Sequence, residues 1–165
     1  MKVQFDAFDL SYIAMYSERI HVVKSVHKVP SKKYDVTKSE WELIYIGMMG
    51  EFAVRKITGS SMSMDITIGG QPIADTIVGG KTAQIKANSY IGKYLEFFMD
   101  GMDSFNADIL IGVQVLSPVL CDVIGYIDKD RFKSIAKVKS YGYGERLFIP
   151  STSLESITKL IMKSD

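Results

Sequence analysis

The sequence predicts an α/β fold, a mixed central sheet flanked by helices, and three stretches carry that reading. In DTIVGGKTAQIKA two alternating segments meet at Gly79-Gly80, where glycine takes positive φ without steric cost, as a two-residue hairpin turn requires. The runs ADILIGVQVL and VLCDVIGYI are apolar on both faces over much of their length, the pattern of strands buried centrally in a sheet. Ahead of both, Trp41, Ile44, Tyr45, Met48 and Phe52 recur at helical spacing and form one apolar stripe.

In chain order, residues 10–28 read as a helix with Leu10, Ile13, Ala14, Tyr16 and Ile20 on its apolar side, ending before Pro30. SVHKVPSKKYD follows as a linker to about residue 36. His21 and His27 have no acidic or cysteine partner nearby and read as ordinary, partly exposed histidines. Thr37-Lys38-Ser39-Glu40 has capping-box spacing, and a helix runs from it to Ile57, stopped by Gly59. Gly47 and Gly50 weaken that helix, which predicts the close approach of another backbone.

Three strands follow, at 62–68, 73–78 and 82–87, separated by Gly69-Gly70 and Gly79-Gly80 as an antiparallel meander. Asn88 or Ser89 is placed to cap a helix reaching about Met102, burying Ile91, Leu95, Phe98 and Met102 and leaving Lys93 and Tyr94 on the surface. After the two buried strands come GYIDKDRF, a loop SYGYGERLFIP ending as a strand at the proline, and a Ser153-capped helix, LESITKLIMK. Helices are then expected on both faces of the sheet.

At 165 residues the chain is long enough for one domain with a real core and too short for two ordinary ones. Its 47% hydrophobic and 24% charged composition is that of a globular protein, and no apolar run approaches a membrane span. The start, MKVQFDAFDLSYIAMY, lacks the basic and apolar blocks of a signal peptide, so a cytoplasmic location is expected. Cys121 is the single cysteine, which excludes an intrachain disulfide framework and a multi-cysteine zinc site, and its apolar neighbours predict burial. The net charge of +1 gives no global bias toward nucleic acid, although basic residues gather at 24–33 and 129–139.

Candidate chemistry concentrates around Asp75, Gln84 and Lys86. Strand alternation points Gln84 and Lys86 the same way, and sets Asp75 on a face shared with Ile73 and Ile77, where a carboxylate needs a compensating cation. Glu51 follows Met48 by three residues, on the flank of the apolar stripe, where it either pairs with Arg55 or serves the same site. Gly79-Gly80-Lys81-Thr82 imitates the end of a phosphate-binding loop, but that motif needs a glycine where Asp75 stands and a helix where TAQIKA reads as a strand.

The ordered set of Glu51 in GMMGEFAVRKITG, Asp75, and Gln84-Ile85-Lys86 resembles the core motif of the PD-(D/E)XK nuclease superfamily over about residues 41–127. Gln84 stands where most of that superfamily has an acidic residue, a departure that recurs in Mrr-like restriction members. The resemblance implies a restriction endonuclease-like fold and a nuclease that hydrolyses DNA with Mg2+ or Mn2+. The metal would be held by Glu51, Asp75, Gln84 and the backbone carbonyl of Ile85, with Lys86 positioning the attacking water or stabilising transition-state charge. Asp65 competes with Asp75 for the aspartate role, with a longer spacing to Gln84. Lys81, Lys93 and Arg131 are candidate DNA contacts, and double-strand cleavage by so small a domain implies a homodimer. The competing reading is a catalytically inactive nucleic-acid-binding or assembly protein on the same fold, since glutamine lowers the anionic ligand count.

Overall fold

Ser39 and Gly59 bound the helix on which the site depends. In the computed structural model, which describes residues 1–29, 37–60, 74–92, 94–140 and 144–162, this helix, α2, spans Glu40–Thr58. Its capping box is built from Ser39 and Glu42, two residues later than the Thr37–Glu40 pair expected. Both pairs have the spacing of a capping box, but the helix begins only at Glu40, which makes Ser39 the cap and Glu42 its third residue. Gly59 ends the helix in the left-handed conformation at φ 66°, its N–H donating to the Arg55 carbonyl.

A short strand, β1 (Lys2–Gln4), which the sequence pattern did not reveal, precedes the first helix, α1 (Ala7–Val26). α1 packs beside α2 through Tyr12, Tyr16 and Phe52, the rings of Tyr12 and Phe52 meeting edge to face at 5.6 Å. The expected strand at 62–68, with Asp65, and Ile73 of the next lie outside the described residues. Then come β2 (Thr76–Val78) and β3 (Lys81–Asn88), joined by Gly79 and Gly80 at φ 58° and 73°. Two consecutive positive φ values are those of the tight hairpin turn predicted, and the strand that follows rules out a phosphate-binding loop.

The chain continues through β4 (Glu96–Met99), β5 (Ile109–Ser117), β6 (Leu120–Asp128), α3 (Lys129–Ile135), β7 (Lys137–Ser140), β8 (Glu145–Pro150) and a four-residue helix, α4 (Thr158–Ile161). Five strands form a mixed sheet in the order β1-β6-β5-β3-β2, in which β3 and β5 run parallel and the other pairs antiparallel. β4, β8 and β7 form a second, antiparallel sheet.

Two expectations are corrected by the structure. The helix expected to reach Met102 is a loop followed by β4, with Leu95, Phe97 and Met99 buried in alternation and Ile91 in solvent. Pairing with β8 selected the two-residue period over the helical one. The last helix does not start at Ser153, because Glu155 exchanges both backbone hydrogen bonds with Tyr126, each at 2.8 Å, which holds the chain extended there. Gly125 permits this approach, since a Cβ on it would stand 2.1 Å from the Glu155 carbonyl oxygen. α1 and α2 cover one face of the five-stranded sheet; the other face meets the second sheet together with Phe132 of α3, so helices lie on both sides as expected.

Two cores result. Ile109, Ile111, Val113 and Val115 of β5 join Ala83, Ile85, Cys121 and Val123 beneath α1 and α2. Leu110 and Ile127 face the opposite way, toward Phe97, Phe105, Phe132 and Ile149. Cys121 is buried as expected, and burial pushes its thiol up to about 12.

Candidate active site

α2 lies close on β3 because Gly50 carries no side chain: a Cβ there would stand 2.7 Å from the Ala87 Cβ. The prediction of close approach holds for Gly50, whereas Gly47 has open space around it. This contact sets Glu51, the next residue, near the edge of β3. Asp75 comes from the other side, one residue before β2. Its N–H donates to the Ala83 carbonyl at 2.9 Å, and its Oδ2 accepts the Ile85 N–H at 2.6 Å. Asp75 thus grips β3 on both sides of Gln84.

The burial expected for the Asp75 face is not met by Ile77, which is 62% exposed. Val78 is the buried residue of β2 instead, and the groups that compensate the Asp75 charge, the Ile85 N–H and Lys86, both come from β3. In a strand the N–H and C=O of one residue point to the same side. The Ile85 carbonyl therefore lies on the edge where its N–H meets the Asp75 carboxylate.

Electrostatics tie the members together. Burial, reinforced by the Asp75 charge, pushes the Glu51 carboxyl up to about 8. Burial also raises Asp75, against the lowering effects of the Ile85 N–H and the Lys86 ammonium. Two carboxylates and one lysine, drawn from α2, the head of β2 and β3, thus act on one another. Arg55, the alternative partner considered for Glu51, lies over the Phe52 ring at 5.9 Å.

Gln84 contributes differently. Its Nε2 donates to the Ser104 carbonyl at 3.3 Å, while its Oε1 is buried with no hydrogen-bond partner. An unsatisfied buried amide oxygen costs about 1–3 kcal/mol. The hydroxyl of Thr76, next to Asp75, is buried and unsatisfied as well. Neither Ser104 nor Thr76 stood out in the sequence, where each is one ordinary hydroxyl residue among many. Among the described residues no three His, Cys, Asp or Glu side chains cluster as a metal site, so a cation here would need the amide and backbone oxygens beside the two carboxylates. The orphaned Gln84 oxygen and the two half-buried carboxylates, of which Asp75 raises Glu51, fit that requirement.

The candidate DNA contacts sit elsewhere. Lys81, at the hairpin end of β3, is ion-paired with Asp128, which raises its pKa. Arg131 on α3 pairs with Glu155 at 2.7 Å, and Lys93 lies outside the described residues. A groove of about 590 Å3 lined by Phe8, Tyr12, Phe52 and Arg55 includes none of the site residues. No described helix is long and apolar enough to cross a membrane. No protein-family model, curated protein or solved structure matches the chain.

Proposed function

We propose that the protein is a metal-dependent nuclease on a restriction endonuclease-like sheet, hydrolysing DNA phosphodiester bonds. The observation that carries this reading is the meeting of Glu51 and Asp75, two half-buried carboxylates with raised pKa values, beside Lys86. Asp75, the Gln84 Oε1 and the Ile85 carbonyl would hold Mg2+ or Mn2+, with Glu51 binding directly or through water. When bound, such a cation neutralises phosphate charge and makes water a better nucleophile at neutral pH. Lys86 then orients the attacking water and stabilises the negative charge that builds on the phosphoryl oxygens. Asp75 keeps its own geometry through the Ile85 N–H.

A non-catalytic reading is favoured by one specific observation. Gln84 already makes a structural hydrogen bond to Ser104, which requires no metal. A plasmid-nicking assay with Mg2+, Mn2+ and EDTA separates the two. Nicking should need the metal and be lost in Lys86→Ala; cleavage undiminished in that variant or in excess EDTA would rule the mechanism out.

A further inference from the structure

Just past the end of β3, in the loop where the sequence suggested a helix, large apolar side chains stand in solvent. Tyr90, Ile91 and Tyr94 are 55%, 72% and 74% exposed. The loop is nonetheless anchored. The Asn88 Oδ1 accepts the Tyr90 N–H at 2.8 Å, its Nδ2 donates to the Glu96 carbonyl at 3.0 Å, and Gln114 Nε2 on β5 donates to the Tyr90 carbonyl at 2.9 Å. The Tyr90 ring is laid over Gly92, where a Cβ would stand 2.4 Å from the ring's Cε1.

Strand alternation puts Gln84, Lys86 and Asn88 in one row along β3. That row leads from the candidate catalytic centre to the loop. At about 3.3 Å per residue, Tyr90 follows Lys86 by roughly 13 Å of chain. A tyrosine offers a flat apolar face beside a polar hydroxyl, so an exposed one can stack on a second ring. Beside a centre suited to a phosphodiester, the ring that fits is a nucleobase. Bases enclosed in a duplex cannot present their faces, whereas unpaired ones can, and aromatic platforms hold them irrespective of sequence.

We propose that Tyr90 and Tyr94 form a stacking platform for unpaired bases, which makes the substrate a single strand or a duplex with a single-stranded arm. This rests on the nuclease reading for its chemistry, but its binding can be measured alone. Lys86→Ala protein in EDTA would be titrated, by fluorescence anisotropy, with a labelled thymidine oligonucleotide and with a blunt duplex of equal length. Adding Tyr90→Ala or Tyr94→Ala should each weaken single-strand binding about fivefold or more. Phenylalanine at either position should restore it, and duplex binding should not change. Gly92→Ala, which displaces the Tyr90 ring without removing it, should also weaken the single strand.

Equal losses for single strand and duplex, or leucine restoring binding as well as phenylalanine, would overturn the platform, the latter pointing to simple apolar contact with another partner. If wild type nicks DNA with metal while the tyrosine variants bind single strands normally, the platform fails and the nuclease stands. If tyrosine-dependent binding holds while no metal supports cleavage, the platform stands as a base-binding surface and the nuclease fails.

Discussion

Glu51 holds its proton to higher pH than an exposed glutamate does, and that has a measurable sign. Its carboxyl is raised from an ordinary 4.5 to about 8, so the folded chain binds the proton more tightly than the unfolded chain. The associated stability is complete below about 4.5 and is lost as pH rises through 8, because the folded state binds more protons across that window. Thermal melting in EDTA should therefore show stability falling over that range by on the order of a few kcal/mol. Glu51→Gln should flatten the profile, and a fall of the same size in that variant would place its cause elsewhere. Gln84 gives a second test at this scale. Gln84→Glu adds a charge with little change of shape and should tighten Mg2+ binding by calorimetry, while Gln84→Ala should weaken it. Equal affinity in all three proteins would exclude Gln84 from the ligand set. That Glu51, Asp75 and Lys86 come together was foreseen from their order and spacing in the sequence. The Ser104 and Thr76 contributions were not, since each depends on a fold contact that leaves no periodic trace.

The two glycines of α2 have opposite surroundings. Gly50→Ala should cost about 1–3 kcal/mol, because the new methyl meets the Ala87 Cβ of β3, itself fixed to the backbone. Gly47→Ala meets nothing and should stabilise by about 0.5–1 kcal/mol through helix propensity. Chemical denaturation of both variants checks the contrast, and equal effects would show that helix propensity alone decides. Sequence alone marked both glycines and could not choose between them. It located α2, the β2–β3 hairpin and the central strands β5 and β6, whose apolar patterns are long or flanked by strong turn signals. It failed at Leu95–Met102, where a short apolar run fits either period and the partner strand β8, far along the chain, decides. It failed again after Ser153, where the backbone exchange between Glu155 and Tyr126 overrides a good capping residue.

Across the whole molecule, several cations are balanced in place. Lys81, Arg131, Lys139 and Arg146 each pair with a carboxylate, and the chain carries only +1 overall. Nucleic-acid binding should accordingly depend weakly on salt, with a slope of log K against log salt no steeper than about −3, equivalent to roughly four phosphates on a single strand. A slope near −7 would mean that these ion pairs open to engage the backbone. The layered plan, α1 and α2 on one face and α3 with a small sheet on the other, was half foreseen. The second sheet escaped because β4, β7 and β8 are short and separated in sequence, so only their pairing reveals a layer.

The hydrogen bond from Ile85 to Asp75 also makes one amide a reporter. Most strand amides exchange with solvent when their ladder opens, but the Ile85 N–H is held by a side-chain carboxylate at 2.6 Å. In a proton–nitrogen correlation spectrum its resonance should move as Asp75 titrates or takes a metal, and its exchange should quicken in Asp75→Asn. Amides of β5 that pair with β6 should keep their rates, so the state of the candidate centre can be followed without substrate or turnover.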